Sequence, residues 1–239
     1  MPSEAIVLAG GLGTRLKGVV KDIPKPMAEV NGRPFLSYIL DYLARAGVGR
    51  AVLSIGYRYG SIKDFFGPAY KDMELDYAIE DEPLGTGGAI LEAMKAVRGQ
   101  EIFILNGDTF FDLSLQGLIK AHRDSLADIT LALKPMRDLD RYGTVILKGD
   151  RVAGFREKSF QSSGYINGGV YAVKKNIAER LKALGLKRFS FESDFLQREI
   201  AGLNAFGFVS DSYFIDIGIP EDYERARSDF KNFKKGAAG

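Results

Sequence analysis

The sequence contains no cysteine, a single histidine and almost no net charge. Without cysteine there is no disulfide framework, no thiolate zinc site and no thiol catalysis. Thirty-three basic residues against 31 acidic ones leave a formal charge of +2, which supplies no electrostatic reason to bind nucleic acid or an anionic membrane surface. No apolar run approaches the length of a membrane span, and no charged segment with an apolar h-region precedes the first apolar stretch, so a cytoplasmic protein is expected. The one histidine, His122, lies at helical spacing from Leu115, Leu118 and Ile119. It reads as a structural residue at the edge of an apolar helix face rather than a catalyst.

What remains is a chain of 239 residues, 46% apolar, long enough to bury the core of one large α/β domain. No internal repeat or linker interrupts it, so residues 1–233 are expected to form one unit. The small, polar residues 234–239 are expected to be a flexible tail.

Leu36, Ile39, Leu40 and Leu43 follow Pro34 at helical spacing and are closed by Gly47 and Gly49, which predicts a helix over 35–46. With the apolar runs 4–8 and 51–55 on either side, this is a βαβ unit of a parallel sheet. The pattern predicts a helix over 59–66, a strand over 73–79, a helix over 88–97 and a buried strand over 102–105. Beyond that point short strands at 129–133, 144–147 and 152–155, separated by Gly, Asp and Arg turns, predict an antiparallel or mixed extension. Helices over 175–183 and 191–200, strands within 204–216 and a helix after Pro220 complete the expectation.

The first strand, Glu4-Ala5-Ile6-Val7-Leu8, runs into Ala9-Gly10-Gly11-Leu12-Gly13-Thr14-Arg15-Leu16. Closely spaced glycines expose backbone N–H groups and make an anion-binding concavity. Arg15 and Lys25 add full charges beside it, and Pro24 and Pro26 stiffen the loop that carries Lys25. The third glycine of a dinucleotide fingerprint is absent, as is the Gly-Lys-Ser/Thr ending of a P-loop. Asp108 follows the strand 102–105 directly, at a strand's carboxyl end, where open α/β sheets bind ligands. Asp216 lies inside the apolar run Tyr213-Phe214-Ile215-Asp216-Ile217 and needs a cation or several donors to stay ionised. The sequence nominates no base near it, so a metal shared with Asp108 is the economical partner, and hard oxygen ligands beside phosphates point to Mg²⁺.

Leu8 through Leu16, together with Pro24-Lys25-Pro26-Met27, resembles the signature of the sugar-1-phosphate nucleotidyltransferases, which join a nucleoside triphosphate to a sugar 1-phosphate. Val19 through Met27, Pro34-Phe35-Leu36, Glu82 through Ala89, Phe189-Ser190-Phe191-Glu192 and Phe214 through Asp222 extend the resemblance along the chain, toward members that use GTP. The resemblance implies a Rossmann-like α/β fold of three layers, of the glycosyltransferase-A-like kind, whose mixed and mainly parallel central sheet carries a small antiparallel extension. It implies Arg15, Lys25 and Asp108 as catalytic residues and Asp108 with Asp216 as holders of the magnesium. It implies Leu8, Ala9, Gly10, Gly11, Gly13 and Thr14 as a nucleotide cradle, and Glu82-Pro83-Leu84-Gly85-Thr86 as part of a base-binding loop. Glu80 and Glu82 suit guanine, whose Watson–Crick edge presents N–H donors to a carboxylate. Tyr142, Gly143, Asn167 and Gly168 resemble sugar-facing segments, and Glu157-Lys158 resembles a motif whose lysine grips the sugar phosphate.

The implied partners are GTP and a sugar 1-phosphate, with self-association into a homo-oligomer left open. Other readings are a uridylyl- or thymidylyltransferase, an enzyme acting on a mannose, glucose or amino-sugar phosphate, and a non-catalytic regulatory subunit of the same fold.

Overall fold

The computed structural model describes residues 2–11, 23–139, 141–157 and 160–233. Strand β1 (Glu4–Leu8) is followed by a short hairpin of β2 (Glu29–Val30) and β3 (Arg33–Pro34), then α1 (Phe35–Arg45), β4 (Arg50–Ile55) and α2 (Tyr59–Phe66). Next come β5 (Ala69–Tyr70), β6 (Met73–Ile79), α3 (Gly85–Ala93), β7 (Glu101–Asn106), β8 (Thr109–Phe111) and α4 (Leu115–Asp124). The second half holds β9 (Ile129–Leu139), β10 (Thr144–Lys148), β11 (Arg151–Arg156), β12 (Gln161–Lys174), α5 (Ile177–Ala183), α6 (Gln197–Glu199), β13 (Ala205–Val209), β14 (Phe214–Asp216) and α7 (Pro220–Phe233).

Among the described residues ten strands form one sheet, in the order β10-β11-β13-β9-β12-β7-β1-β4-β6-β5. The strands β7, β1, β4 and β6 are mutually parallel, as the βαβ pattern predicts. The antiparallel extension continues in the same sheet, because β12 pairs antiparallel with both β7 and β9.

Alternation along the strands sorts their side chains into two cores. Ala5, Val7, Leu53, Phe103 and Leu105 face α1, α2, α4 and α7, whereas Ile6, Val52, Ile102 and Ile104 face α3, α5 and the aromatic segment around Phe191. These strand residues are at most 2% exposed. Each such aliphatic side chain contributes about 1.5–3 kcal/mol on burial. The parallel half is therefore a rigid platform whose strands all end on one edge.

Two expected elements differ. Helix α3 begins at Gly85 rather than 88, because Gly85 takes φ +70° and its turn docks on Phe189: Gly87 N donates to Phe189 O at 3.0 Å and Phe189 N to Leu84 O at 3.0 Å. After Ala93 the chain runs on in tighter three-residue turns to Val97. The single helix expected over 191–200 is a π-helix over Phe191–Leu196, then α6, then a 3₁₀ turn. The strands expected within 204–216 are β13 and β14, of which β13 stays in the large sheet while β14 leaves it to pair antiparallel with β8.

Candidate active site

The carboxyl ends of β1, β4 and β7 meet at one edge. Ala9 N donates to Ser54 O at 2.7 Å and Gly107 N to Leu8 O at 2.9 Å, so Leu8, Ala9, Gly10 and the exposed Gly11 stand where the loop leaves the sheet. Gly13, Thr14 and Arg15 lie outside the described residues, as does Lys158. Beside Gly10 sits Glu80, so close that a Cβ on Gly10 would lie 2.7 Å from Glu80 Oε1. The Glu80 carboxylate accepts from Ser54 Oγ at 3.1 Å and from Leu84 N at 3.0 Å.

Lys25 opens a three-residue 3₁₀ turn after Pro24. Its ammonium reaches Asp108 Oδ2 at 2.6 Å and Asp216 Oδ1 at 3.4 Å, with the lysine side chain only 12% exposed. The two carboxylates meet because β8 and β14 pair with Asp216 opposite Thr109, and Ile217 N donates to Asp108 O at 3.0 Å. The base that the sequence did not nominate for Asp216 is therefore Lys25. Gly218 N donates to Asp216 Oδ1 at 2.8 Å. A Cβ at Gly218 would sit 2.9 Å from that oxygen and 3.2 Å from Lys25 Nζ, so a larger residue there would push the carboxylate or the ammonium aside.

Burial, and next the negative charge of Asp108, raise the pKa of Asp216, while Lys25 and the Gly218 N–H pull it down. Two carboxylates facing one ammonium leave an excess of negative charge. That charge and the hard oxygen donors fit a divalent cation. Among the described residues no group of three or more acidic or histidine side chains is placed to hold a metal ion, so water and phosphate oxygens would complete its shell.

Next to this cluster lies a cavity of about 300 Å³ that Asp216 and Thr109 also line. Tyr142, Gly143, Glu157 and Asn167 all border it. Burial, followed by the charge of Asp216, raises the pKa of the Tyr142 phenol. Gly168 does not reach the cavity. It packs on the Phe111 ring with no room for a Cβ, while its neighbour Gly169, at φ +68°, lines the wall with Asn106.

Other expectations meet different partners. The Glu82 carboxylate forms a surface ion pair with Lys187, and Pro83 is exposed. Gly85 abuts the Phe189 backbone, since a Cβ there would lie 2.5 Å from Phe189 O. Thr86 Oγ1 donates to Glu192 Oε2 at 2.9 Å and accepts from Phe191 N at 2.8 Å. Much of the loop's glycine content thus serves internal packing.

Sequence reasoning missed Asn106, Glu192 and Gln197 as cavity residues. Asn106 was visible as part of an Asn-Gly-Asp turn beside Asp108. Its Oδ1 is buried without a partner among the described residues. No local signal marked Gln197.

A glycine loop at the carboxyl edge of a parallel sheet, with a lysine between two aspartates, defines a phosphate-handling α/β protein, and the chain belongs to the nucleotidyl transferase family, which it matches over residues 4–232. It is 47% identical over 230 residues to D-glycero-α-D-manno-heptose 1-phosphate guanylyltransferase of Aneurinibacillus thermoaerophilus, covering 96% of this chain and 99% of that one. It is 48% identical over 221 residues to the protein of the same name from Campylobacter jejuni, covering 92% and 96%. Among solved structures, that of HddC from Yersinia pseudotuberculosis complexed with GMP-PN is similar with a TM-score of 0.83 and 40% identity, covering 95% of this chain and 99% of that one.

Proposed function

We propose that this protein transfers a guanylyl group from GTP to D-glycero-α-D-manno-heptose 1-phosphate, releasing pyrophosphate and forming a GDP-heptose. The observation that carries this reading is the Lys25–Asp108–Asp216 cluster opening onto a sugar-sized cavity lined by polar and apolar side chains together. The relatives named above supply the substrates.

The chemistry needs no side-chain nucleophile, because the sugar phosphate already carries an anionic oxygen. That oxygen attacks the α-phosphorus in line, the new P–O bond forms, and the bond to the β-phosphate oxygen breaks with pyrophosphate leaving. The obstacle is bringing polyanions together, since two like unit charges about 4 Å apart repel by roughly 4 kcal/mol at an effective dielectric near 20. Lys25 supplies fixed positive charge at this point, and Arg15 and Lys158 are proposed to do the same for the triphosphate and the sugar phosphate. Asp108 and Asp216 would hold a magnesium ion, whose charge, when bound, offsets that of the phosphates. The backbone at Leu8–Gly11 would receive the nucleotide, with Glu80 beside it as the carboxylate for the guanine edge. Tyr142, Gly143, Glu157 and Asn167 would orient the sugar, converting an encounter into a positioned reaction.

Residues 1–233 are proposed to act as one catalytic unit. Among the described residues no helix is long and apolar enough to cross a membrane, and a cytoplasmic location fits a nucleotide-sugar enzyme.

The test is pyrophosphate release with Mg²⁺, crossing GTP, UTP, dTTP, CTP and ATP against heptose, mannose, glucose and N-acetylhexosamine 1-phosphates. GTP with the manno-heptose phosphate should be preferred. Turnover only with UTP or dTTP would overturn the guanine assignment, and no release with any pair would favour a non-catalytic subunit.

A further inference from the structure

The segment Phe191–Leu196 is a π-helix, a rare winding in which N–H groups bond five residues back and which is frequent at functional sites. Neighbouring groups pin it in place. Ser190 Oγ accepts from Ser193 N at 3.1 Å, Ser190 N donates to Asp194 Oδ2 at 2.8 Å, and Phe191 N donates to Thr86 Oγ1. Gln197 N donates to the Glu192 carbonyl, closing a five-residue turn. In an α-helix, residues five apart point about 140° away from each other. The wider turn brings them toward one side, and Glu192 and Gln197 both line the cavity while Phe191, Phe195 and Leu196 are buried in the core.

The Glu192 carboxylate accepts from Thr86 Oγ1 at 2.9 Å, Ser190 Oγ at 3.2 Å and the Tyr171 hydroxyl at 3.3 Å. A carboxylate offers about four acceptor positions, so one is left over. Tyr171 in turn accepts from Asn167 Nδ2 at 2.7 Å, and Asn167 Oδ1 accepts from Gly169 N at 3.1 Å. Glu192 is thereby held rigidly and helps hold Asn167. The exposed Gln197 side chain has no hydrogen-bond partner among the described residues.

We propose that Glu192 and Gln197 form a specificity-determining pair, presented by the π-helix, that binds hydroxyls of the sugar 1-phosphate away from its phosphate. The proposal rests on the sugar-phosphate reading of this cavity. A carboxylate repels the phosphate, so the part of the substrate that faces Glu192 is its polyol part. An acceptor-only carboxylate beside an amide that both donates and accepts matches neighbouring hydroxyls, which the heptose side chain carries and a hexose, one carbon shorter, lacks in part.

The test compares the unmodified protein with Gln197→Ala and Glu192→Gln, measuring KM for GTP and for the heptose and mannose 1-phosphates, with Tm as the control for folding. Gln197→Ala should raise KM for the heptose phosphate about tenfold, leave KM for GTP within twofold, and narrow the preference over mannose phosphate by a similar factor. Glu192→Gln, which keeps shape but loses charge and an acceptor, should move the same sugar KM in the same direction. Equal changes for both sugars, a parallel rise in KM for GTP, or no change in either variant would overturn the proposal. Failure of the substrate reading itself appears earlier, as a different preferred sugar phosphate in the unmodified protein. The pair is then tested by the same KM separation on that sugar, with its analogue lacking the terminal hydroxymethyl group as the comparison.

Discussion

Two clusters of carboxylates around one cation sit at opposite ends of the parallel strands, and they have opposite characters. At the amino ends, Arg50 of β4 donates to Glu4 Oε1 at 2.6 Å, Glu74 Oε1 at 3.2 Å, Asp76 Oδ2 at 2.6 Å and the Ala96 carbonyl at 2.9 Å. Glu4 is further capped by the N–H groups of Arg98 and Gly99. The side chains of Arg50 and Glu4 are 6% and 4% exposed, and the planar guanidinium fork fills its donors with fixed partners. At the carboxyl ends, Lys25 is a point charge shared by Asp108 and Asp216, which are 38% and 31% exposed. The first cluster is closed and holds strands together; the second is partly open to solvent and keeps acceptor capacity. The same residue types thus become scaffold or site according to which strand end they occupy and how completely their partners satisfy them.

Breaking each cluster should therefore separate stability from activity. Arg50→Ala leaves the Glu4 carboxylate buried beside no counter-charge and should cost about 3–5 kcal/mol of stability, read as a lower denaturation midpoint, with turnover per folded molecule retained. Asp108→Asn keeps the shape but removes charge from the open cluster. It should lower kcat by about 10²–10³-fold with little change in the same midpoint.

A third measurement sharpens the contrast by pH. Burial lowers the pKa of His122 from 6.5 to about 4, and its Nδ1 lies 3.0 Å from Thr130 Oγ1. The unfolded chain takes up the proton first, so this stability is fully present above pH 6.5 and is lost as pH falls through 6.5 toward 4. The loss should approach about 3 kcal/mol and be abolished in His122→Asn when the two pH profiles are compared. The smallest effect belongs to Gly218→Ala. Its added methyl would crowd Asp216 Oδ1 and Lys25 Nζ and should reduce turnover about tenfold, roughly 1.4 kcal/mol, while Tm stays near that of the unmodified protein.

The legible parts share a cause. Buried strands such as 51–55 and 102–105 and the helix α1 were readable because burial imposes a period on the sequence. Lys25 and Asp108 were readable because a glycine loop and a strand end are local features. The Lys25–Asp216 contact was not, since it depends on β14 leaving the large sheet to pair with β8. Gly85 and Thr86 carried the look of a binding loop but meet Phe189, Phe191 and Glu192, contacts that no local pattern reveals. The π-helix was read as an ordinary helix over 191–200, because the apolar residues Phe191, Phe195 and Leu196 suit either winding.

By itself the sequence determined the layered α/β architecture, and it singled out the glycine loop and the two aspartates, Asp108 and Asp216, that the fold brings together. Periodic burial, glycine spacing and strand ends are local, and local chemistry survives reading in one dimension. Only the tertiary structure decided which cation stands between Asp108 and Asp216, that Glu82 turns away to Lys187, and that Glu192 and Gln197 share one wall. Those outcomes depend on pairing between distant segments and on a helical winding that no run of residues encodes alone.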